Sequence, residues 1–261
     1  MMLEVNKLSV ELGGRLILRN LSLQAGPGAL CVLMGANGEG KTTLLRTLAG
    51  EYPHYTGDIQ IGGRNLRQVS IRDQAAQRAV LSQQLSLQLP FTVEEVVAMG
   101  RFVYGGGNTA HDKELVQYAM KQLQVFDLKE RNYLTLSGGQ KQRVQMARVL
   151  AQLLEVPDIN GKDYAGKKML LLDEPVTGMD ILYQQLALQL AAQLVKQGVL
   201  VVAVLHDFQI AAAYADRVWM LKNGAVYAEG APRQVFTPDH IAACFGIAVQ
   251  CWSTRTATIR W

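Results

Sequence analysis

The chain has 261 residues, enough for one large domain or two small ones with a core that needs no disulfide or metal to hold it. Hydrophobic residues make up 49% and charged residues 18%, which excludes a disordered chain, a collagen and a coiled coil. With 26 Lys and Arg against 22 Asp and Glu the net charge is +4, a surplus too small and too scattered for nucleic acid to be the main ligand.

Cys31, Cys244 and Cys251 form no Cys-x-x-Cys pair and are odd in number, so they read as reduced thiols of a cytosolic protein. Met1 to Lys7 holds no basic segment followed by an apolar one, and no secretion signal is expected. The longest apolar run, Val199–Leu205, falls far below the roughly 18 residues of a membrane span. Work at a membrane would have to pass through another chain.

In chain order, Leu3–Leu12 and Leu16–Leu23 partly alternate around Gly13-Gly14, the pattern of an antiparallel hairpin that Asp58–Ile61 would extend. Ala29–Met34, Met169–Leu172 and Val199–Leu205 are short, continuously apolar runs separated by helical stretches, which predicts a parallel sheet covered on both faces. From about Thr92 to Leu154 the chain reads as mostly helical. Thr92-Val-Glu-Glu95 is a capping box for a helix ending near Gly100, Gly105-Gly106-Gly107 is a breaker, and Asp112–Phe126 reads as a long amphipathic helix. Glu155–Lys168 is a polar loop, and Thr237-Pro238-Asp239 caps a last short helix.

Three motifs carry chemistry. Gly35-Ala36-Asn37-Gly38-Glu39-Gly40-Lys41-Thr42-Thr43 matches G-x-x-x-x-G-K-[ST], with a strand before it and a helix after it. Its glycines let successive backbone N–H groups point inward at phosphate oxygens, and the helix adds its positive end. Lys41 supplies a charge between β- and γ-phosphates, and the Thr42 hydroxyl can ligate Mg²⁺. Met169–Leu172 then leads into Asp173 and Glu174, two acids at the carboxyl end of a buried strand, where ligands of open α/β sheets collect. Asp173 can hold Mg²⁺ opposite Thr42, and Glu174 can orient or deprotonate an attacking water. Taken alone, two acids at a strand end are more often a solvated turn or a helix cap; the phosphate loop selects the functional reading. Leu136-Ser137-Gly138-Gly139-Gln140 is the third motif. Ser137 and Gln140 fit a capping box, and the glycines expose backbone N–H at the start of a helix through Leu150, a second anion-binding helix end.

On these residues the chain, from Leu3 to about Ala248, resembles the nucleotide-binding subunit of an ATP-binding cassette (ABC) transporter. The resemblance implies an α/β fold with a P-loop NTPase (RecA-like) core, an N-terminal antiparallel β subdomain and an inserted α-helical subdomain. It divides a single domain into 1–90 and 160–230 as core with β subdomain, 91–159 as the helical subdomain, and 231–261 as a C-terminal tail. It implies ATP and Mg²⁺ as cofactors. Gln83, after Val80-Leu81-Ser82, resembles the glutamine that contacts Mg²⁺ or the attacking water and feels the membrane partner. Thr177-Gly178-Met179-Asp180 resembles the D-loop, and His206 resembles the switch histidine that senses γ-phosphate. The family arrangement is a head-to-tail homodimer in which Lys41, Thr42, Asp173, Glu174 and His206 of one copy face Ser137–Gln140 of the other. The implied partners are membrane permease subunits and, indirectly, a periplasmic substrate-binding protein, with no nucleic acid. The implied location is the cytoplasmic face of the bacterial inner membrane.

The chain departs from the family pattern at three places. The aromatic residue that stacks on adenine, just before the first hairpin turn, is Leu12 here. Ala36 and Glu39 stand where Pro and Ala are usual, and Thr177-Gly178-Met179 replaces Ser-Ala-Leu. Leu89–Arg101, Glu155–Lys168 and Gly230–Ile247 are similar to the subgroup importing ferric siderophores, cobalamin and heme; Arg78–Gln83 and Met99-Gly100-Arg101 resemble the hemin importer ATPases. Uptake of heme is therefore the expected role, with ferric siderophore or cobalamin as alternative cargo. A soluble ABC ATPase acting on nucleic acid or ribosomes usually has two cassettes or a coiled-coil insertion, and the chain has neither. A P-loop kinase or GTPase would not carry Leu-Ser-Gly-Gly-Gln.

Overall fold

A computed structural model describes residues 1–82, 88–105, 109–154, 168–176 and 179–247. The first half runs β1 (Leu3–Leu12), β2 (Arg15–Ala25), β3 (Leu30–Met34), α1 (Lys41–Leu48), β4 (Thr56–Ile61), β5 (Arg64–Asn65), α2 (Ile71–Gln77) and β6 (Arg78–Leu81). Three helices follow, α3 (Val93–Ala98), α4 (Ala110–Gln122) and α5 (Gly138–Leu153). The remainder is β7 (Met169–Asp173), α6 (Ile181–Lys196), β8 (Leu200–Val204), α7 (Phe208–Tyr214), β9 (Arg217–Lys222), β10 (Ala225–Gly230), α8 (Pro232–Val235) and α9 (Pro238–Phe245).

Two sheets result. β1 and β2 form the expected hairpin, with Leu12 opposite Arg15 across Gly13 and Gly14, and β4 joins antiparallel to β1. Both turn glycines have positive φ, 57° and 75°, the geometry whose twist matches that of the flanking strands. The second sheet has the order β10-β9-β3-β8-β7-β6, parallel except for β10. Its three central strands are buried on both faces, so they read as unbroken apolar runs. Leu30, Val32 and Met34 of β3, with Leu170, Leu172, Val201 and Ala203, face one core shared with α3, α4, α5 and α6. Cys31 and Leu33, with Met169, Leu171, Leu200, Val202 and Val204, face a second core shared with α1 and the N-terminal sheet.

The helical stretch departs from its sequence reading at three places. α4 starts at Ala110 and ends at Gln122 instead of spanning Asp112–Phe126. Thr109 is its cap, with its hydroxyl accepting from the Asp112 N–H, so Asp112 belongs to the first turn as the acid of a capping box. At the other end Gln124 takes a φ of 51°, which stops the helix, and Phe126–Leu128 forms a separate short 3₁₀ turn. α5 runs to Leu153, beyond the expected Leu150. Lys168, expected in a solvated loop, is buried, and its ammonium donates to Ala76 O at 2.7 Å and Tyr104 Oη at 3.0 Å. The rest of that loop, and Gly106-Gly107, lie outside the described residues.

Met99-Gly100-Arg101 gains a physical meaning here. A Cβ on Gly100 would sit 2.3 Å from Arg148 O, so the chain after α3 packs backbone to backbone on α5. Arg101, 3% exposed, donates from Nε to Asp112 Oδ1 at 2.8 Å and from Nη1 to Ala151 O and Leu154 O, each at 2.7 Å. One guanidinium thus satisfies carbonyls at the end of α5 and pairs with the first turn of α4. Burial pushes the Asp112 carboxyl up, but hydrogen bonds from Thr109 and Arg101 outweigh it and hold the group below its ordinary value. A depressed carboxyl stabilises the fold above its unfolded-state range and loses that contribution as pH falls through its folded value. Arg101→Met strands the buried carboxylate, a loss of about 3–5 kcal/mol. We expect its thermal midpoint at pH 7 to drop by roughly 10 °C. The gap to the natural chain should narrow below about pH 4, as Asp112 takes up a proton. Thermal unfolding followed by circular dichroism at both pH values checks this; equal midpoints at pH 7 would show that the pair carries no weight.

Candidate functional site

The order of the second sheet decides where the motifs meet. β3, β8 and β7 are neighbours, so the carboxyl ends of all three open on one edge. Gly35 follows β3, His206 follows β8, and Asp173 ends β7. With Ile17 of β2, residues from four parts of the sequence therefore line a single cleft: Ile17, Asn37, Gly38, Lys41, Thr42, Glu174 and His206. This is the crevice at which open α/β sheets collect ligands.

The loop before α1 is shaped by its glycines. Gly35, Gly38 and Gly40 have φ of 147°, 85° and 90°. A Cβ on Gly35 would lie 2.5 Å from Leu221 O, so β9 closes on the loop. Around Gly38, by contrast, a Cβ would meet nothing within 4 Å, and its conformation alone demands glycine. The first N–H groups of α1 have no partner inside the helix and point the positive end of its dipole at the cleft. Lys41, 6% exposed, lies within the loop, its Nζ donating to Gly35 O and Ala36 O at 2.8 Å each. Burial pushes this ammonium below its ordinary value, while the carboxylates of Glu174, Glu39 and Asp173 push the other way. Thr43 O accepts from the Thr47 hydroxyl at 2.7 Å one turn on.

Thr42 Oγ1 donates to Asp173 Oδ1 at 3.3 Å, so the two side chains are neighbours. Burial raises the Asp173 carboxyl above its ordinary value; the Thr42 hydrogen bond opposes it, and Glu174 reinforces it. A hydroxyl beside a carboxylate is an oxygen donor set suited to Mg²⁺, which takes one or two protein oxygens and completes its shell with phosphate and water. Among the described residues no group of three His, Cys, Asp or Glu could cage a metal by itself. The donor set fits a cation that arrives with a phosphate.

Glu174 has a φ of 51°, a left-handed conformation that costs a non-glycine residue about 1–2 kcal/mol. The chain turns sharply off β7 there, and Glu174 Oε1 lies 2.7 Å from His206 Nε2. With the carboxylate accepting, Nε2 carries the hydrogen. Asp207 caps α7 by accepting from Gln209 N at 2.7 Å and Ile210 N at 3.0 Å, which fixes the backbone next to His206. Asp207 two residues before Gln209 carries the sequence signal of such a cap. Glu39, read from the sequence only as a member of the phosphate loop, has a carboxylate that accepts from Asn223 N and ties that loop to the β9–β10 turn.

Ser137–Gln140 lies elsewhere. Ser137 caps α5 in a reciprocal box, its backbone N–H donating to Gln140 Oε1 at 3.0 Å and its hydroxyl accepting from Gln140 N at 3.3 Å. Ser137 and Gly138 are exposed, Gly139 and Gln140 half-buried, and none of the four lines the cleft. Asp180 is exposed at the start of α6. Gln83, Thr177 and Gly178 lie outside the described residues.

Comparison with known proteins settles the lineage. The family described as ABC transporter matches residues 18–158. The chain belongs to the ABC transporter family. It is 42% identical to the "Hemin import ATP-binding protein HmuV" of Gloeobacter violaceus, over 94% of this chain and 88% of that one. It is 39% identical to the protein of the same name from Rhizobium meliloti, over 94% and 91%. A solved structure of an ATP binding subunit of an ABC transporter superposes with a TM-score of 0.76, covering 96% of this chain and 95% of that one; at 24% identity it speaks for the fold alone. As an ABC ATPase the chain binds and hydrolyses ATP and works with a membrane permease. No helix among the described residues is long and apolar enough to cross a membrane. Lys41→Ala removes the buried cation that faces the cleft, and charge-assisted hydrogen bonds of this kind are worth about 1.5–3 kcal/mol. Titration with a fluorescent ATP analogue should show affinity at least about tenfold weaker in a chain that remains folded.

Proposed function

We propose that the chain is the ATP-hydrolysing subunit of a heme importer, working as a head-to-tail homodimer on the cytoplasmic face of a bacterial inner membrane. The observation that carries the reading is the split of the site. Lys41, Thr42, Glu174 and His206 share one cleft, with the buried Asp173 hydrogen-bonded to Thr42, while the exposed helix end at Ser137–Gln140 is not among its lining residues. A phosphate held on one side only becomes enclosed when a second copy brings its Ser137, Gly138, Gly139 and Gln140 across. The relatives named for hemin import support the cargo.

In the proposed mechanism the loop from Gly35 to Thr43 holds the triphosphate through backbone N–H groups, and Lys41 shifts its charge from the Gly35 and Ala36 carbonyls to phosphate oxygens. Thr42 and Asp173, together with Gln83, would hold Mg²⁺, whose charge would offset that on the β- and γ-phosphates. Glu174 orients a water in line with the γ-phosphorus and takes its proton. The new P–O bond forms as the bond to the β-bridging oxygen breaks, and ADP leaves with that electron pair. His206 holds Glu174 in place through Nε2 and reaches the γ-phosphate on closure, which makes it a sensor of ATP against ADP. Asp180 would lie along the dimer seam beside the exposed Ile181 and Leu182. The segment 91–159 would move against the core of 1–90 and 160–230 and pass closure to the permease; 231–261 would be an accessory tail. A periplasmic substrate-binding protein would deliver cargo on the far side.

Glu174→Gln keeps the shape of the side chain and removes its basicity. Its turnover should fall at least about 100-fold, while ATP binding persists and a sizing column shows a dimer only with ATP. A monomer under those conditions would overturn the two-copy site. Ser137→Arg should block closure and turnover yet leave ATP binding by the isolated subunit unchanged. For cargo, the chain purified with its membrane subunits should be stimulated by heme over a ferric siderophore and cobalamin. A flat response to heme would remove that cargo.

A further inference from the structure

The cleft at the phosphate loop continues past Ile17, Asn37 and Gly38 into a second hollow. Its remaining wall is Arg15, Leu16, Arg19, Glu39, Asn223 and Gly224. A triphosphate whose β- and γ-groups lie over Lys41, with its γ end toward Glu174 and His206 as the proposed mechanism places it, sends its sugar and base out along this wall. The open space over Gly38, where a Cβ would meet nothing, leaves that path clear.

Leu12, the position expected to carry a stacking aromatic, does not serve here. Its side chain is half-buried and packed on the core beneath the N-terminal sheet, and it is absent from both stretches of the cleft. Arg15 is its direct cross-strand partner across the Gly13-Gly14 turn, so the two project from the same face of the hairpin. Arg15 is exposed, and among the described residues its side chain makes no hydrogen bond or ion pair. The nearby carboxylate of Glu39 is already engaged with Asn223 N. Arg19 shares the wall, but it lies four residues further along β2 from the turn, where its backbone N–H is tied to Gly224 O at 2.8 Å.

We infer that Arg15 covers the face of the nucleotide base, taking over from across the hairpin the role that Leu12 cannot fill. A guanidinium is planar and weakly hydrated, and it stacks on aromatic faces while its hydrogen-bonding edge stays in water. Leu16 and Ile17 beside it supply apolar contact for the same ring. Stacking of this kind is tolerant, since every base has a π-face, so ATP and GTP should bind with similar strength.

The inference rests on the ATPase reading, and the test separates the two by comparing a nucleotide with its phosphate chain alone. ATP affinity and displacement by inorganic tripolyphosphate are measured on the full chain. Arg15→Ala should weaken ATP about tenfold, the worth of one stacked base, and leave tripolyphosphate unchanged. Arg15→Tyr, which restores a planar face without charge, should recover ATP binding; Arg15→Lys, which keeps charge without the plane, should not. Arg19→Ala should leave both ligands as they were. The inference is overturned if Arg15→Ala binds ATP normally, or if it loses ATP and tripolyphosphate alike. It is equally overturned if Lys rescues where Tyr fails, or if Arg19 gives the base-dependent loss. A natural chain that binds neither ligand would overturn the ATPase reading and this one together, whereas the other outcomes strike Arg15 alone.

Discussion

Lys41 is 6% exposed, and its ammonium donates to two carbonyls of its own loop. Withdrawing an ammonium from water costs several kcal/mol unless partners surround it, and much of the cleft can be read as the means of surrounding this one. The carbonyls of Gly35 and Ala36 can face inward only because the loop curls through positive φ at Gly35, Gly38 and Gly40. The curl is closed from outside by Leu221 O on β9, at a distance only glycine permits. The negative charge that offsets the ammonium comes from Glu174, from Glu39 in the loop itself, and from Asp173; Asp173 ends a strand two places away in the sheet and Glu174 follows it. A triphosphate entering the cleft exchanges one set of oxygens around Lys41 for another, so the cation never has to return to water.

Strand order turns this local requirement into a global one. β8 lies between β3 and β7, so His206 arrives between the loop and the acids without any long loop to carry it. Behind the edge, the three central strands are buried on both faces, which fixes the relative height of Gly35, Asp173 and His206 through core packing on each side. The helical stretch is tied to the same edge. Gln142 on α5 donates to Pro175 O at 3.3 Å, next to Glu174, and the Arg143 guanidinium lies 3.7 Å over the Tyr183 ring on α6. A displacement of α5 therefore bears on the residue following Glu174, which gives the proposed coupling to a permease a physical path.

The motif Gly35–Thr43 was legible because nine consecutive residues determine it, and because the apolar run before it and the helix after it are local facts. The two-faced burial of β3, β7 and β8 was legible for the same reason. Features set by distant partners were not. Arg78–Leu81 is too short to announce itself as the edge strand β6, and the Asn223-Gly224 hairpin matters through where Leu221 and Glu39 meet it. The end of α4, where the Arg143 guanidinium donates to Leu123 O and Gln124 O, and the burial of Lys168 against Ala76 and Tyr104 likewise depend on partners far off in sequence. Composition gave +4 and no membrane span; neither could say that the charges that matter are a few buried ones on facing strand ends.

The strain at Glu174 completes this logic. A φ of 51° in a non-glycine residue persists only where the surroundings over-determine it, and here they do: a buried strand on one side, Pro175 and its bond from Gln142 on the other, and His206 at 2.7 Å across. The same strain has a direction. It turns the chain off the axis of β7 beside the Thr42–Asp173 pair, leaving Glu174 and His206 on the wall where a γ-phosphate would end. On the proposed reading, each copy holds a strained acid and a buried cation waiting for charge to fill the space between them, and an exposed helix end that its own cleft does not use. Filling the cleft supplies an anion for the cation at once, but the far side of that anion still faces water until Ser137–Gln140 of a second copy covers it. Closure then follows from the unfinished electrostatics of a single chain, and opening from the loss of the γ-phosphate that made closure favourable.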